Sequence, residues 1–258
     1  MKEFYEELYN EEVNIKNLKE QKRISPAKHF KRDIIEKALK DLPYNSKVIE
    51  IGAGLGDIIG FLKFQSRKGT DVSENVVIKS KQMFPEVLFN IADANQPLDE
   101  ITEFYDAVLL PDIIEHLEND ETILNESYRI LKHGGKLVLI TGYNGQEQDT
   151  PRNDAKYAFG LGGDLRDYGW NLIDRVEKKG FKITKVIYLD GHPAFWDLKE
   201  KVLKDQKNNI MTGNYMPKNS WFKKFVCFCM FWAYKINHKV YGNKRNVSGD
   251  IVIVGEKI

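Results

Sequence analysis

Residues 47–60, KVIEIGAGLGDIIG, constrain the fold more than any other stretch of the chain. Residues 48–51 are a short apolar run, rich in β-branched side chains and interrupted only by Glu50, which is typical of a buried parallel strand. Glycines follow at alternate positions, and a new apolar-periodic segment begins at Asp57. Glycine allows positive φ and leaves peptide groups bare, so a ligand can lie against the backbone. The stretch therefore predicts the nucleotide-binding corner of an open α/β sheet.

The spacing of this turn excludes two common phosphate-binding motifs. The dinucleotide fingerprint G-x-G-x-x-G requires a glycine where this chain has Asp57. No Gly-Lys-Ser/Thr follows the turn, so the P-loop motif is missing as well. A carboxylate here would repel a pyrophosphate, but it is compatible with a ligand that carries cationic sulfonium and ammonium groups.

Residues 50–56, EIGAGLG, resemble motif I of class I S-adenosylmethionine-dependent methyltransferases. Other positions resemble that family in the same order: Asp71 after the second predicted strand, Asp93 after the third, PDIIEHL at 111–117 after the fourth, and LKHGG at 131–135 before the fifth. The resemblance covers about residues 45–190. It implies an α/β fold with a Rossmann-like, seven-stranded, mostly parallel sheet and helices on both faces, and an enzyme that methylates an acceptor with S-adenosylmethionine.

The expected organisation places additions on either side of this core. Residues 1–44 form an N-terminal helical cap, 45–190 the methyltransferase core, 191–249 a helical insertion, and 250–258 the last core strand. Ser25 and Pro26 predict the start of a helix that runs to about Lys40. That helix either packs over the sheet or acts as a lid over the cofactor. An amphipathic helix is also predicted from residue 57 to residue 67, directly after the glycine turn.

The resemblance implies that the ends of the first four strands contact the cofactor. The carboxylate of Asp71, 17 residues after Gly54, can accept hydrogen bonds from both ribose hydroxyls. Its alternative is a turn residue before a helix that Ser73 caps. Asp93 is expected near the adenine amino group, with the next backbone N–H binding a ring nitrogen. The full set of expected cofactor contacts is Glu50, Gly52, Ala53, Gly54, Gly56, Asp71, Val72, Asp93, Ala94 and Leu110.

The candidate catalytic residues are His116, Asp112 and Tyr143. Methyl transfer is an in-line displacement, so alignment and exclusion of water matter most, and a base helps when the acceptor is a hydroxyl. His116 is the leading candidate for this base, because imidazole readily exchanges a proton near neutral pH. The alternative for His116 is a packing role beneath its loop. Acceptor contacts are expected from the long loop 142–163, through Tyr143, Asn144, Arg152 and Tyr157.

The insertion combines basic and aromatic residues. Residues 206–249 contain eight Lys or Arg and no acid, and residues 225–234, FVCFCMFWAY, are apolar all round. This decapeptide is too short to span a bilayer. A buried helix, a homodimer interface and a peripheral membrane contact through residues 206–245 are all compatible with the pattern. Binding to single-stranded RNA is a weaker interpretation.

Composition and missing motifs limit the classes of molecule that the chain is expected to bind or methylate. A net charge of +1 gives no global attraction for nucleic acid, and the Asn/Asp-Pro-Pro-Tyr motif of amino-type nucleic-acid methyltransferases is missing after the fourth predicted strand. The two cysteines lack zinc-site spacing, so no metal is expected. A small molecule, a glycan and a lipid-linked molecule remain open as acceptors. An RNA methyltransferase and a non-catalytic cofactor-binding or membrane-associated adaptor remain alternatives. The N-terminus lacks the apolar stretch of a signal peptide, so a cytoplasmic protein is expected, with peripheral contact at the inner membrane face as an option.

Overall fold

The computed structural model describes residues 26–151, 164–190 and 249–258, and separate residues of the insertion. Those separate residues are Phe228, Cys229, Trp232, Ala233, Lys235, Ile236, His238, Lys239 and Arg245. The strands, in chain order, are β1 (Lys47–Ile51), β2 (Ser66–Asp71), β3 (Leu88–Ile91), β4 (Tyr105–Pro111), β5 (Leu131–Tyr143), β6 (Thr150–Pro151), β7 (Arg166–Asp167), β8 (Phe181–Asp190) and β9 (Gly249–Lys257).

Seven of these strands form one sheet with the order β3-β2-β1-β4-β5-β9-β8, while β6 and β7 pair with each other. Strands β1 to β5 pair in parallel, and β9 runs antiparallel to both β5 and β8. The Rossmann-like, seven-stranded, mostly parallel sheet expected from the sequence is confirmed.

Helices cover both faces of the sheet, as predicted. Helices α1 (Pro26–Ala38) and α2 (Glu74–Met83) pack on one face, and α3 (Asp120–Ile130) and α4 (Asn171–Lys178) pack on the other. Successive side chains of a strand point to opposite faces, so a central strand must be apolar at every position. In β4, Ala107 and Leu109 are buried on the α1 side, and Val108 and Leu110 are buried on the α3 side.

Helix α1 belongs to the core of the domain. Its side chains Phe30, Ile34 and Ile35, and Leu39 directly after it, are buried against the sheet. The helix predicted to start at Pro26 is confirmed, although it ends at Ala38 rather than near Lys40. Residues 1–25, the remainder of the expected cap, lie outside the described residues.

The helix predicted for residues 57–67 is wrong. The turn is followed only by a 3₁₀ helix at Ile59–Phe61, and Leu62 is already extended. Strand β2 begins at Ser66, and Arg67 within it pairs with Val48 of β1. The guanidinium of Arg67 donates hydrogen bonds to the carbonyls of Gly60 and Leu62, at 2.9 and 3.0 Å, which a continuing helix would have bonded internally. Tertiary bonding therefore replaces the helix.

Strand β5 starts before the predicted glycine turn and includes it. Leu131 pairs with Tyr105, and the next pair is Lys136 with Ala107, so the register shifts between them. Gly134 lies inside this irregularity with a φ of 74°. The predicted turn is thus present as a bulge within a longer strand.

The insertion connects β8 to β9, which are neighbours in the sheet. Strands β8 and β9 pair from Phe181 opposite Lys257 to Asp190 opposite Gly249. The predicted place of the insertion, before the last strand, is confirmed. Among the residues that the structure describes, no helix is long and apolar enough to cross a membrane.

Candidate functional site

A cleft of about 410 Å³ lies at the carboxyl ends of β1 to β4. This is the edge at which open α/β sheets bind ligands. Most of the residues predicted to form the site line this cleft. They are Glu50, Gly52, Ala53, Gly54, Asp71, Val72, Asp93, Ala94, Asp112 and His116.

Two glycines give the turn after β1 its shape. Gly52 has a φ of 73°, and a Cβ there would lie 2.6 Å from Cδ1 of Ile113. Gly54 has a φ of 53°, and a Cβ there would meet no atom within 4 Å. Gly52 therefore permits close packing of the turn on the loop after β4, whereas Gly54 borders open space in the cleft. Both positions favour glycine because other residues are strained at positive φ.

Glu50 is a buried carboxyl group at the floor of the cleft. Its Oε2 atom accepts a hydrogen bond from the backbone N–H of Ile59 at 2.7 Å, which fixes the 3₁₀ helix over the strand end. Burial raises the pKa of Glu50 to about 8, although the bond from Ile59 and the ammonium of Lys28 act in the opposite direction. Glu50 is therefore largely protonated at neutral pH.

The carboxylate of Asp71 organises the backbone on both sides of the cleft floor. Oδ2 accepts a hydrogen bond from the N–H of Gly54 at 3.0 Å, and Oδ1 accepts one from Ser73 at 3.1 Å. Ser73 itself caps α2 by accepting from Val76. Asp71 thus combines the local turn role with a position on the cleft, and the two interpretations of the sequence are compatible.

The loop after β3 forms a side of the cleft. Asp93 accepts hydrogen bonds from the backbone and side-chain nitrogens of Asn95, at 2.9 and 3.1 Å. The side-chain oxygen of Asn95 in turn accepts from the N–H of Glu118 at 3.0 Å. The loop after β3 is therefore bonded to the loop after β4, and Ala94 is buried between them and the core.

Helix α1 places two lysines at the cleft, which reasoning from the sequence missed. Lys28 lines the cleft and pairs with Asp57 at 2.8 Å. Lys31 bridges Asp112 and Asp250, at 2.5 and 2.9 Å. Burial alone would lower the pKa of Lys31, but the two carboxylates outweigh it and raise the pKa above its ordinary value. No motif marks these pairs, because their members are far apart in the sequence.

His116 lies beside two carboxyl groups at the end of the cleft formed by the loop after β4. Its Nδ1 atom is buried, makes no hydrogen bond, and lies 3.5 Å from Oδ1 of Asp164. The N–H of Leu165 donates to the carbonyl of Glu115 at 2.8 Å, which holds the segment of Asp164 against His116. Glu115 accepts from the hydroxyl of Thr141 at 2.8 Å, and burial followed by the charge of Asp112 raises the pKa of Glu115 well above its usual range.

The same groups have the composition of a cation site. Glu115, His116 and Asp164 each place one ligand-type atom within 4.8 Å of the others. The sequence alone did not indicate this cluster, because Asp164 comes from a different part of the chain. The geometry is compatible either with an imidazole oriented by a carboxylate or with a shared divalent cation.

Three predicted site residues do not line the cleft. Tyr143 is buried, and its hydroxyl donates to the carbonyl of Arg245, while burial raises its pKa to about 12. Leu110 is buried in the core, and its neighbour Pro111 lines the cleft instead. Gly56 packs against the Phe89 ring, since a Cβ there would lie 2.8 Å from that ring.

The predicted acceptor loop is only partly described. The side chain of Asn144 donates to the carbonyl of Gln148 and the hydroxyl of Thr150, both at 2.8 Å, and so stabilises the loop itself. Arg152 and Tyr157 lie outside the described residues.

Comparison with known proteins agrees with this architecture. Residues 49–139 match the family described as "Methyltransferase domain", a segment that contains the glycine turn, Asp71, Asp93 and His116. This segment is therefore a methyltransferase domain, and the fold around it is that of the class I methyltransferases. Over 105 residues, the chain is 31% identical to a mitochondrial ubiquinone biosynthesis O-methyltransferase of Rattus norvegicus, covering 37% of this chain and 30% of that protein. It thus spans about a third of the length of that relative.

Solved structures share the fold at low sequence identity. A phosphoethanolamine N-methyltransferase 2 of Haemonchus contortus, in complex with S-adenosyl-L-methionine, has a TM-score of 0.58 and 17% identity, covering 88% of this chain and 52% of that one. The [4+2]-cyclase SpnF has a TM-score of 0.56 and 16% identity, covering 88% and 81%. These likenesses show the fold, which supports more than one chemistry.

Proposed function

We propose that this methyltransferase binds S-adenosylmethionine and transfers its methyl group to a small-molecule acceptor. The observation that carries the proposal is the charge of the cleft around its bare glycine turn. Beside the buried Glu50, the lining contains five carboxylates and one ammonium group: Asp57, Asp71, Asp93, Asp112 and Glu118 against Lys28. Such a lining complements a cationic ligand and opposes a pyrophosphate.

The residues present fit an adenosyl ligand without phosphates. We assign the ribose hydroxyls to Asp71, whose carboxylate the N–H groups of Gly54 and Ser73 hold in place. Asp93 and Ala94 are assigned to the adenine ring, at the end of the loop that Asn95 fixes. Glu50 is assigned to the ammonium group, because a cation nearby would stabilise the charged form of this buried acid.

When bound, S-adenosylmethionine supplies a methyl group on an already activated carbon. The protein then has to align the acceptor and remove its proton. We assign proton removal to His116, which lines the cleft, and we assign its orientation to Asp164, 3.5 Å from Nδ1. A carboxylate beside one imidazole nitrogen leaves the other nitrogen free to accept a proton from the acceptor. With the cofactor bound, the carbon–sulfur bond would break as the acceptor oxygen takes the methyl group, and His116 would accept the proton that the acceptor loses.

This arrangement favours a hydroxyl acceptor. A hydroxyl must lose a proton on methylation, and a base contributes most to such a reaction. The name of the Rattus norvegicus relative, an O-methyltransferase of ubiquinone biosynthesis, agrees with this choice. A glycan hydroxyl and a lipid-linked hydroxyl fit the same chemistry, whereas the acid-rich lining disfavours RNA.

Cofactor binding is tested by calorimetry with S-adenosylmethionine and, separately, with NAD. Micromolar binding of S-adenosylmethionine and far weaker binding of NAD are expected. Asp71→Ala should reduce the affinity for S-adenosylmethionine by roughly ten- to a hundredfold, since a charge-assisted hydrogen bond contributes about 1.5–3 kcal/mol. Asp99→Ala, on an exposed loop, is the matched control and should bind like the parent. Tighter binding of NAD would overturn the assignment.

Transfer is tested separately with methyl-labelled S-adenosylmethionine and fractionated cell extract. Label is expected in a small-molecule fraction, and its entry into the lipid or the polar fraction identifies the class of acceptor. His116→Asn should abolish most of the labelling without weakening cofactor binding. A protein that binds the cofactor but labels no fraction would favour a non-catalytic role.

A further inference from the structure

The described residues of the insertion carry an exposed apolar stripe on helical backbone. Phe228, Trp232 and Ile236 recur every four residues and are 60%, 47% and 60% exposed. The Phe228 and Trp232 rings are in contact, with centroids 6.2 Å apart. At about 100° per residue, the stripe and the exposed Lys239 occupy about a quarter of the helix circumference. Large apolar side chains exposed together mark an interaction surface.

The edge of this helix next to the stripe is attached to α1. Lys235 pairs with Asp33 at 3.4 Å, and the His238 ring contacts Phe30 with centroids 5.9 Å apart. Ala233, Lys235 and His238 are all less exposed than the residues of the stripe. The attachment therefore determines which side faces outward, and the apolar stripe is on that side.

We propose that this stripe binds the headgroup layer of an anionic lipid surface. The exposed Lys239 falls within the stripe, and the Lys235 ammonium lies 5.5 Å from the centroid of the Trp232 ring. In the sequence, residues 206–249 contain eight Lys or Arg and no acid, so this segment carries a strongly positive net charge. Aromatic rings enter the headgroup layer while lysines remain at anionic headgroups, which is the pattern of interfacial helices.

The charge distribution decides between a lipid surface and a second copy of the chain. In a two-fold dimer the same patch meets itself, so the exposed Lys239 of one copy would approach that of the other, and residues 206–249 supply no acid to neutralise the pair. Like charges brought together in an interface are costly. An anionic surface instead complements both the lysines and the aromatic side chains.

The proposal is tested with the full chain and sedimenting vesicles of phosphatidylglycerol and phosphatidylcholine in equal parts. Binding is expected at low salt, with much weaker binding to vesicles of phosphatidylcholine alone. Added salt should weaken binding, because the Debye length falls from about 10 Å at 0.1 M to about 3 Å at 1 M. Lys239→Gln should reduce affinity about fivefold, since a lysine near an anionic leaflet contributes about 1 kcal/mol.

Matched variants separate the stripe from general effects of charge and folding. Trp232→Ala with Ile236→Ser should abolish most of the binding that persists at high salt, and both side chains are exposed, so the fold should persist. Lys178→Gln, an exposed lysine on α4 across the sheet, should bind vesicles like the parent. Failure to bind anionic vesicles at low salt would overturn the proposal, as would a concentration-dependent dimer that the stripe variant dissociates. Neither outcome bears on cofactor binding, so the proposed function is tested independently.

Discussion

One side of the cleft takes its groups from short local stretches, whereas the other gathers them from distant parts of the chain. The side proposed to bind the cofactor, here the cofactor wall, comprises Glu50, the glycine turn, Asp71 and the Asp93 loop, all at or just beyond the ends of β1, β2 and β3. The side proposed to bind the acceptor, here the acceptor wall, comprises Lys28 from α1 and the loop of Asp112 and His116. Lys31 pairs with Asp112 and Asp164 lies beside His116, so pairing of charged side chains positions the acceptor wall, while backbone geometry positions the cofactor wall.

The largest expected effect separates catalysis from cofactor binding. His116→Asn should lower kcat by roughly 10²–10⁴-fold, the range for loss of a positioned base, with S-adenosylmethionine affinity unchanged. Asp164→Asn should lower kcat by about five- to tenfold, because it removes only the group that orients His116. The control is His133→Asn, whose exposed imidazole lies 3.2 Å from Glu103 on the surface.

Treatment with a chelator distinguishes an imidazole oriented by Asp164 from a cation bound at Glu115, His116 and Asp164. Treatment of the parent with a chelator is expected to leave kcat unchanged. Loss of activity on chelation, with recovery on addition of a divalent cation, would show that the groups around His116 bind a metal. A parallel fall in cofactor affinity in His116→Asn would contradict the division between the two walls.

The pH dependence of stability tests how much the burial of Glu50 in the cofactor wall destabilises the fold. Its pKa of about 8 exceeds the ordinary value of 4.5, so the folded chain keeps a proton that the unfolded chain has released between these limits. The free energy of unfolding should therefore fall as pH rises from about 4.5 to 8. Glu50→Gln removes this titration. The free energy of unfolding of the variant minus that of the parent should therefore increase by on the order of 4 kcal/mol between about pH 4.5 and pH 8. Urea denaturation at both ends of the window measures it, and an equal difference at both would contradict the assignment.

Lys31 tests how the acceptor wall is held together. Lys31→Met leaves Asp112 and Asp250 without their shared cation and should reduce the free energy of unfolding by about 1–3 kcal/mol, since both carboxylates are partly exposed. Lys37→Met removes an exposed pair with Asp33 on the same helix and should cost less than about 1 kcal/mol. Thermal denaturation compares the two variants. Equal losses in the free energy of unfolding would mean that the bridge formed by Lys31 stabilises the fold no more than an ordinary surface ion pair.

The effect most selective for binding is expected at Gly54. Gly54→Ala and Gly134→Ala share positive φ values of 53° and 74° and open space for a Cβ. Each should destabilise the fold by about 1–2 kcal/mol. Only Gly54→Ala should also weaken S-adenosylmethionine binding, by roughly ten- to a hundredfold if the ligand lies against the turn. Equal binding by both variants would place the ligand elsewhere.

The sequence predicted the sheet and the cofactor wall because their signals are local. Apolar runs mark the strands, and Gly52, Gly54 and Asp71 stand at strand ends. The helix expected over residues 57–67 does not form because Glu50 of β1 accepts from the N–H of Ile59, and Arg67, which lies in β2, donates to the carbonyl of Gly60. Lys31 and Asp164 could not be predicted, because only the folded topology brings them to Asp112 and His116.

The hairpin of β8 and β9 makes the insertion an exchangeable module. Asp190 and Gly249 face each other across that hairpin, so the sheet requires only that the two ends meet. Closing a longer or shorter loop between fixed ends changes the cost slowly, by about 0.6 kcal/mol for each doubling of length. Replacing residues 191–248 would therefore keep the β8–β9 pairing, while the contacts of Lys235 and His238 with α1 and of Arg245 with Tyr143 would be lost. A graft of this segment onto a related domain should give that domain the proposed binding to anionic vesicles and leave its cofactor affinity unchanged.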